Sequence, residues 1–336
     1  MLGQLEARGV SEVAAAHMVA SLIETSLRGI DSHGINLFSH YCAAAQSGRI
    51  NLDPKLKITA TSQSLAILDA DWTYGHHAGA FAMDYAQKVA AETGIGLVNV
   101  VNSSHFGSAA YFALRAARSD FLAFAFTNAD SLVKAHNAAE SFFGTNPICF
   151  AAPMNNEDPL CLDMATSAVS WNKIKNYRRE SRPLDPGWAF DKDGLPVTDP
   201  HAAVSLAPSG SYKGFGLGLM VEVLCSMLTG APIGRDLAPM YENIAQRRNI
   251  SHSFIALDIS RIRGVGHFKS QLTEMAVRIR MMRKLGVENV MVPGDPEKKA
   301  FYHRVSSGIP VSEAVHENLR VLHPTIDSVI NLSLEL

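Results

Sequence analysis

Long hydrophobic runs are missing from this sequence. The longest, around Gly214 to Met227, contains Glu222. It falls short of the roughly 20 apolar residues that cross a bilayer, so a buried helix is expected there and no membrane partner. An export signal is also missing: Met1-Leu-Gly-Gln-Leu-Glu-Ala-Arg is helical in character and has no apolar h-region, which makes the cytoplasm the expected compartment. There is no excess of positive charge. With 30 Lys+Arg against 32 Asp+Glu, the chain offers nothing to attract nucleic acid or anionic lipid. Cysteine is scarce. Cys42, Cys149, Cys161 and Cys225 lie far apart without a CxxC pair, so free buried thiols are expected rather than disulfides or zinc.

The common catalytic and cofactor signatures are absent too. No GxGxxG follows a strand, since Gly94-Ile-Gly breaks off at Asn99 and Gly214-Phe-Gly-Leu-Gly has the wrong spacing. There is no Walker A sequence, HExxH or GxSxG. Ser170-Trp-Asn-Lys173 fits SxxK, a pattern short enough to arise by chance. His76-His77 has no acidic or cysteine cluster beside it, so no metal site is expected.

What is present is a chain 47% hydrophobic and 18% charged, rich enough in apolar residues to fill a large core and long enough for two structural units. Periodicity predicts helices over 11–27, 33–47, 79–92, 108–118, 214–228, 266–284, 296–306 and 310–320, and one opening at Met164 and running to Lys175. Apolar, β-branched runs predict strands at 66–70, 95–101, 121–126, 148–152, 160–163, 253–259 and 290–292. Residues 183–211, with five prolines, read as a long connection, and 235–251 as irregular. The expected class is α/β (α+β), with helical ends around a mixed sheet.

Three constellations carry chemistry. Arg28-Gly-Ile-Asp-Ser32-His33-Gly, leading on to Tyr41, sets a guanidinium, a carboxylate, a hydroxyl and an imidazole between glycines. It reads equally as a helix-ending turn with Gly29 as C-cap. Asn102-Ser-Ser-His105-Phe-Gly follows a strand and precedes a helix, where α/β sheets gather ligands. An imidazole there suits proton transfer near neutral pH, or simply caps the next helix. The third set is dispersed. Gly144-Thr-Asn146-Pro forms a turn. Asp163-Met-Ala-Thr166-Ser167 and Lys213-Gly-Phe-Gly are two helix starts competent for an anion. Pro293-Gly294-Asp-Pro-Glu is a tight turn.

In this order the segments Arg28-Gly-Ile-Asp-Ser-His-Gly, Ser104-His-Phe-Gly, Phe143-Gly-Thr-Asn-Pro, Leu162-Asp-Met-Ala-Thr-Ser, Lys213-Gly-Phe-Gly-Leu and Pro293-Gly-Asp-Pro-Glu resemble the malate/L-lactate dehydrogenase family of the second type. That family includes ureidoglycolate, sulfolactate, diketogulonate and piperideine-2-carboxylate enzymes. The resemblance implies a non-Rossmann nicotinamide-binding mixed sheet and a helical domain formed by the two chain ends. The division would be 1–60 plus 266–336 for the helical domain and 61–265 for the cofactor-binding domain. It implies a homodimer that uses NAD or NADP on a small 2-hydroxy or 2-oxo acid. It gives proton transfer to His105, with Ser32 and His33 as catalytic partners. Tyr41, Asn146 and Asp130 fall at the substrate. Asp163, Thr166, Ser167, Lys213, Pro293 and Gly294 fall at the cofactor.

The chain also departs from the family pattern. Leu37 stands where many relatives carry an arginine fit to clamp a carboxylate. The stretch before Lys213 is short, and the sequence starts part-way into the first helix of relatives. Segment 234–251 is nearest in character to ureidoglycolate dehydrogenase. A cyclic 2-imino acid reductase and a catalytically weak dinucleotide-binding homologue are the alternative readings.

Overall fold

The computed structural model describes residues 1–322; the expected helical-domain segment 323–336, with His323, lies outside the described residues. Its twelve strands are β1 (Lys57–Ala60), β2 (Leu65–Asp69), β3 (Ile95–Ser103), β4 (Phe121–Thr127), β5 (Val133–Lys134), β6 (Ser141–Phe143), β7 (Ile148–Ala152), β8 (Leu160–Met164), β9 (Ala189–Phe190), β10 (Pro196–Val197), β11 (Ser205–Leu206) and β12 (Ile250–Asp258). Seven of them form a central sheet in the order β1-β2-β3-β12-β4-β7-β8. β2 and β3 run parallel, and the other neighbouring pairs run antiparallel. β12 arrives late in the chain and lies between β3 and β4, so Phe254 sits opposite both Val98 and Ala125.

The helices are α1 (Leu2–Glu6), α2 (Glu12–Leu27), α3 (Phe38–Gln46), α4 (Gly75–Thr93), α5 (Ala110–Arg118), α6 (Trp171–Arg179), α7 (Tyr212–Cys225), α8 (Val265–Arg280), α9 (Asp295–Ser307) and α10 (Glu313–Leu322). α4 and α5 cover one sheet face. Their alanines, among them Ala82, Ala86, Ala113 and Ala117, let the helices lie close to Val98, Val100 and Phe254 in the largest core. Gly96 on β3 is part of this fit, since a Cβ there would stand 2.1 Å from the Ala86 carbonyl oxygen. α7 covers the opposite face through Val221 and Cys225 against Phe126. A second core joins α1, α2 and α3 with Leu319 of α10. α8 packs through Leu272, Ala276 and Ile279 on Met154 and Leu160.

Several elements differ from the sequence expectation. Residues 183–211 are more than a connection. They supply β9, β10 and β11, which join β5 and β6 in a second, five-stranded sheet around Leu184, Ala189 and Leu206. Strands two residues long leave no periodicity to read. Residues 290–292 form no strand, although the adjoining Pro293 carbonyl accepts the Cys161 amide at 3.3 Å. The helix expected from Met164 opens only at Trp171, where the Ser170 hydroxyl accepts the Lys173 amide. Before it the chain is extended. The amides of Thr166 and Ala168 donate to the carbonyls of Thr145 and Ala207, and Ser167 bridges Pro208. Thr166 and Ser167 are therefore not at a helix start, and the amides of Thr166 and Ala168 are engaged by carbonyls. The helix expected over 33–47 begins at Phe38, after two single 3₁₀ turns.

Candidate active site

The end of α2 and the end of β3 meet to form the site. Gly29 follows α2 at φ +84°, a left-handed conformation that ends the helix and turns the chain into the 3₁₀ turns bearing Ser32 and His33. The helix-ending turn is present, and it is also what presents the polar side chains. The turn is anchored from two sides. Arg304 of α9 grips the Asp31 carboxylate at 2.6 and 3.0 Å, and the Asn172 amide of α6 donates to the Ser32 carbonyl at 3.1 Å. The Ser32 hydroxyl lies 2.9 Å from His33 Nδ1.

His105 stands two residues beyond β3. Its Nδ1 is 2.6 Å from the Tyr41 hydroxyl, delivered by α3. Its ring stacks on His33 with centroids 5.8 Å apart and planes 27° from parallel. It does not cap the following helix: Asp163 of β8 does, accepting the Ala110 amide and the Ser108 hydroxyl, each at 2.9 Å. Neighbouring groups enclose the His105 ring while one edge opens to a cleft. Burial first, then the nearby His33 and Arg248, hold its pKa well below the ordinary histidine value. Burial likewise lowers His33 and raises the Tyr41 hydroxyl well above its usual range. At neutral pH the trio is therefore two neutral imidazoles and one protonated phenol.

Two chambers meet here. The larger, about 930 Å³, is lined by His33, His105, Asp130, Thr145, Asn172 and Tyr241 among others. The smaller, about 430 Å³, is lined by Ser32, His33, Gly107, Ser108, Asp163, Ser167 and Ser209 among others. His33, Thr145 and Ser170 belong to both walls, so the chambers adjoin at the imidazole pair. A volume near 1,000 Å³ with a few convergent polar groups is what a small-molecule site requires.

Ser32, His33, Tyr41, His105, Asp130, Asp163 and Ser167 thus come together. Asp130 accepts the Met240 amide at 2.9 Å and is ion-paired with Arg248. Burial raises the Asp163 pKa, opposed by its Ala110 and Ser108 hydrogen bonds. The Ser167 hydroxyl is turned to the Val169 carbonyl at 2.7 Å. Others stand apart from the chambers. Thr166 is buried behind the wall, its hydroxyl donating to the Thr145 carbonyl at 3.0 Å. Asn146 is wholly buried; its amide group accepts from Ala129 N–H and donates to Gly218 and to the Glu222 carboxylate. Lys213 is exposed at the start of α7, beside Gly214, which packs on the backbones of Ser209 and Thr166. Pro293 and Gly294 lie against Cys161, two residues along β8 from Asp163.

Leu37 is 8% exposed and packs in the core of the N-terminal helices, so this position does not face the cleft. Arg248, the buried cation near His105, was not foreseen. It lies in the irregular stretch 235–251, where no period or motif marks a residue that points inward. Among the described residues no cluster of three or more His, Cys, Asp or Glu is placed to hold a metal, and no helix is long and apolar enough to cross a membrane.

Comparison with known proteins gives the family. The chain is 31% identical over 314 residues to a ureidoglycolate dehydrogenase (NAD(+)) of Escherichia coli K12, covering 94% of this chain and 87% of that one. It is 35% identical over 322 residues to a malate dehydrogenase of Pyrococcus abyssi, covering 93% and 88%. The crystal structure of malate dehydrogenase from Entamoeba histolytica superposes with a TM-score of 0.92 at 29% identity, covering 97% of this chain and 95% of that one. A family model described as malate/L-lactate dehydrogenase matches residues 1–320. The chain belongs to the malate/L-lactate dehydrogenase family.

Proposed function

We propose that the protein is an NAD(P)-dependent dehydrogenase of small 2-hydroxy acids, with His105 exchanging the proton of the reacting hydroxyl. The observation that carries this reading is the Tyr41–His105–His33–Ser32 cluster at the junction of two adjoining chambers. A nicotinamide supplies or accepts the hydride when bound, and the protein supplies geometry and a proton site. With Nδ1–H donated to the Tyr41 oxygen, the lone pair of Nε2 is left to take the hydroxyl proton of the substrate. Ser32 and His33 orient the same oxygen and stabilise charge developing on it. Asp130, fixed by Arg248, borders the substrate chamber. Asn146 supports that wall from behind through the Ala129 amide.

The smaller chamber fits the cofactor. Gly107, at φ +77°, brings bare backbone to its wall, and among the described residues one Asp163 oxygen has no protein partner and is left for a ribose hydroxyl. Ser167 borders the same space and Thr166 braces it. Lys213, exposed at the start of α7 and apart from this chamber, is assigned to a phosphate of the cofactor, and Pro293 with Gly294 backs β8. The mostly antiparallel sheet and the missing GxGxxG support a binding mode unlike the Rossmann one. We further propose the two-unit division at residues 1–60 plus 266–336 and 61–265, with β1 at the boundary reaching across to pair with β2 in the central sheet, a homodimer and a cytoplasmic setting.

The test follows absorbance at 340 nm with 2-hydroxy and 2-oxo acids and each cofactor. Turnover of at least one acid is expected. His105→Ala should lower kcat by about 10²–10⁴ while cofactor affinity stays the same. An equally active variant ends the assignment.

A further inference from the structure

The apolar run that forms α7 carries a single charge, Glu222, and that side chain is wholly buried. Among the described residues no cation pairs with it. A buried carboxylate without a counter-ion is costly unless hydrogen bonds take up its charge. Two of them do. One oxygen accepts the Gly234 amide and the other accepts the Asn146 side-chain amide, each at 2.8 Å.

These two bonds lead to two walls of the larger chamber. Asn146 passes one of them on: its Oδ1 accepts the Ala129 amide at 3.1 Å, beside Asp130, while its Nδ2 also donates to the Gly218 carbonyl at 3.0 Å. Gly144 closes on the same peptide, since a Cβ there would stand 2.4 Å from the Ala129 carbonyl oxygen. Ala129 and Asp130 line the chamber. Gly234 opens the turn that carries Arg235 and leads to Leu237, and both of these line it as well.

The network can run in one direction only. An ionised Glu222 accepts and cannot donate, so it faces Nδ2 of Asn146, and Oδ1 is thereby turned to the Ala129 N–H. Reversing the Asn146 amide would set its oxygen against a carboxylate and a carbonyl, and its NH2 against an N–H.

We propose that Glu222 is a positioning residue of the substrate chamber. From behind the wall, its carboxylate orders the Asn146 amide and the Gly234 turn, and so holds the Ala129–Asp130 wall and the Arg235–Leu237 wall in place for the substrate. The effect on turnover rests on the dehydrogenase reading; the tie between the walls does not.

Glu222→Gln tests it, because glutamine has the same shape and the wrong polarity. Its one oxygen can meet Gly234 or Asn146, and its NH2 then faces a donor at the other. KM for the acid that the wild type oxidises best in the 340 nm screen should rise about 10-fold or more, the worth of a hydrogen bond to a charged group. kcat should change much less, because His105 is held by Tyr41 and not by this network. Adding Asn146→Asp restores the polarity, since the new carboxylate accepts from the glutamine amide and from Ala129. The double variant should recover most of the KM, whereas Asn146→Asp alone sets two carboxylates together and should be worse than the pair. A wild-type KM in Glu222→Gln overturns the proposal, as does a double variant whose loss is the sum of its parts.

Hydrogen exchange at the Ala129 amide, read by NMR on alanine-labelled protein without substrate, separates the tie from the dehydrogenase reading. If the wild type oxidises no acid, that reading fails. Faster Ala129 exchange in Glu222→Gln, slowed again in the double variant, still upholds the tie. Equal exchange in wild type and Glu222→Gln, or equally fast exchange in both variants, removes it. If Glu222→Gln does not fold, a double variant that folds with Ala129 protected upholds the tie, and one that does not overturns it.

Discussion

The surroundings of His105, the proposed base, set its protonation state. A free imidazole near pKa 6.5 is half protonated close to neutrality. Here burial and the neighbouring His33 and Arg248 keep the ring neutral to lower pH. The neutral form is the base for alcohol oxidation, so oxidation should persist below pH 6.5 and fall only as pH drops through the depressed pKa. A kcat/KM profile for oxidation with its acid limb at or above pH 6.5 contradicts this. Tyr41 holds the His105 ring through Nδ1, with which its hydroxyl is paired. Tyr41→Phe leaves the ring shape but removes that pairing. We expect kcat to fall about 10-fold or more through loss of ring orientation, with the melting temperature nearly unchanged. Wild-type kcat in this variant removes Tyr41 from the mechanism.

Among the elements, the β3–α5 loop decides the placement of the site, and its geometry depends on Gly107. Gly107 has φ +77°, and a Cβ there would meet His76 Nε2 at 2.8 Å. His76 is wholly buried beside Tyr41, with ring centroids 4.8 Å apart, so it has little room to yield. Gly107→Ala should therefore lose about 1–3 kcal/mol of stability, read as a lower urea midpoint. kcat should fall with it, because His105 lies two residues away. A stable, fully active variant means the loop adapts. The same loop shows how much of the site could be read in sequence. Ser104-His105-Phe-Gly after an apolar strand marked the proposed base, and Arg28-Gly-Ile-Asp-Ser-His marked the facing turn. Thr166 and Ser167 were placed wrongly at a helix start because Asp-Met-Ala-Thr-Ser has the composition of a cap. The amides of Thr166 and Ala168 bond instead to the carbonyls of Thr145 and Ala207, in loops remote in sequence.

Across the whole molecule, buried neutral histidines link stability to pH. His76 and His252 are fully buried, and burial is the first cause that lowers both to about 3. His252 lies between β3 and β4, its two nitrogens 2.7 Å from the Thr127 hydroxyl and 2.8 Å from that of Ser103. Below the unfolded value near 6.5, the unfolded chain takes up protons at these rings and the folded chain does not. Stability is therefore complete above about pH 6.5 and declines as pH falls from there toward 3, by at most about 1.4 kcal/mol per pH unit for each ring. Melting temperatures should drop between pH 7 and pH 5. His252→Asn, although less stable at pH 7, should show a smaller drop. A melting temperature independent of pH over that range contradicts the linkage.

Family and mixed α/β class followed from local chemistry, because motifs of four to seven residues keep their meaning wherever the chain carries them. Tertiary structure alone decided the rest. It put β12 between β3 and β4, built a second sheet from residues that looked like a connection, turned Leu37 into a core and buried Arg248 against Asp130. Each of these depends on contacts between residues distant in sequence, and such contacts leave no period or spacing behind.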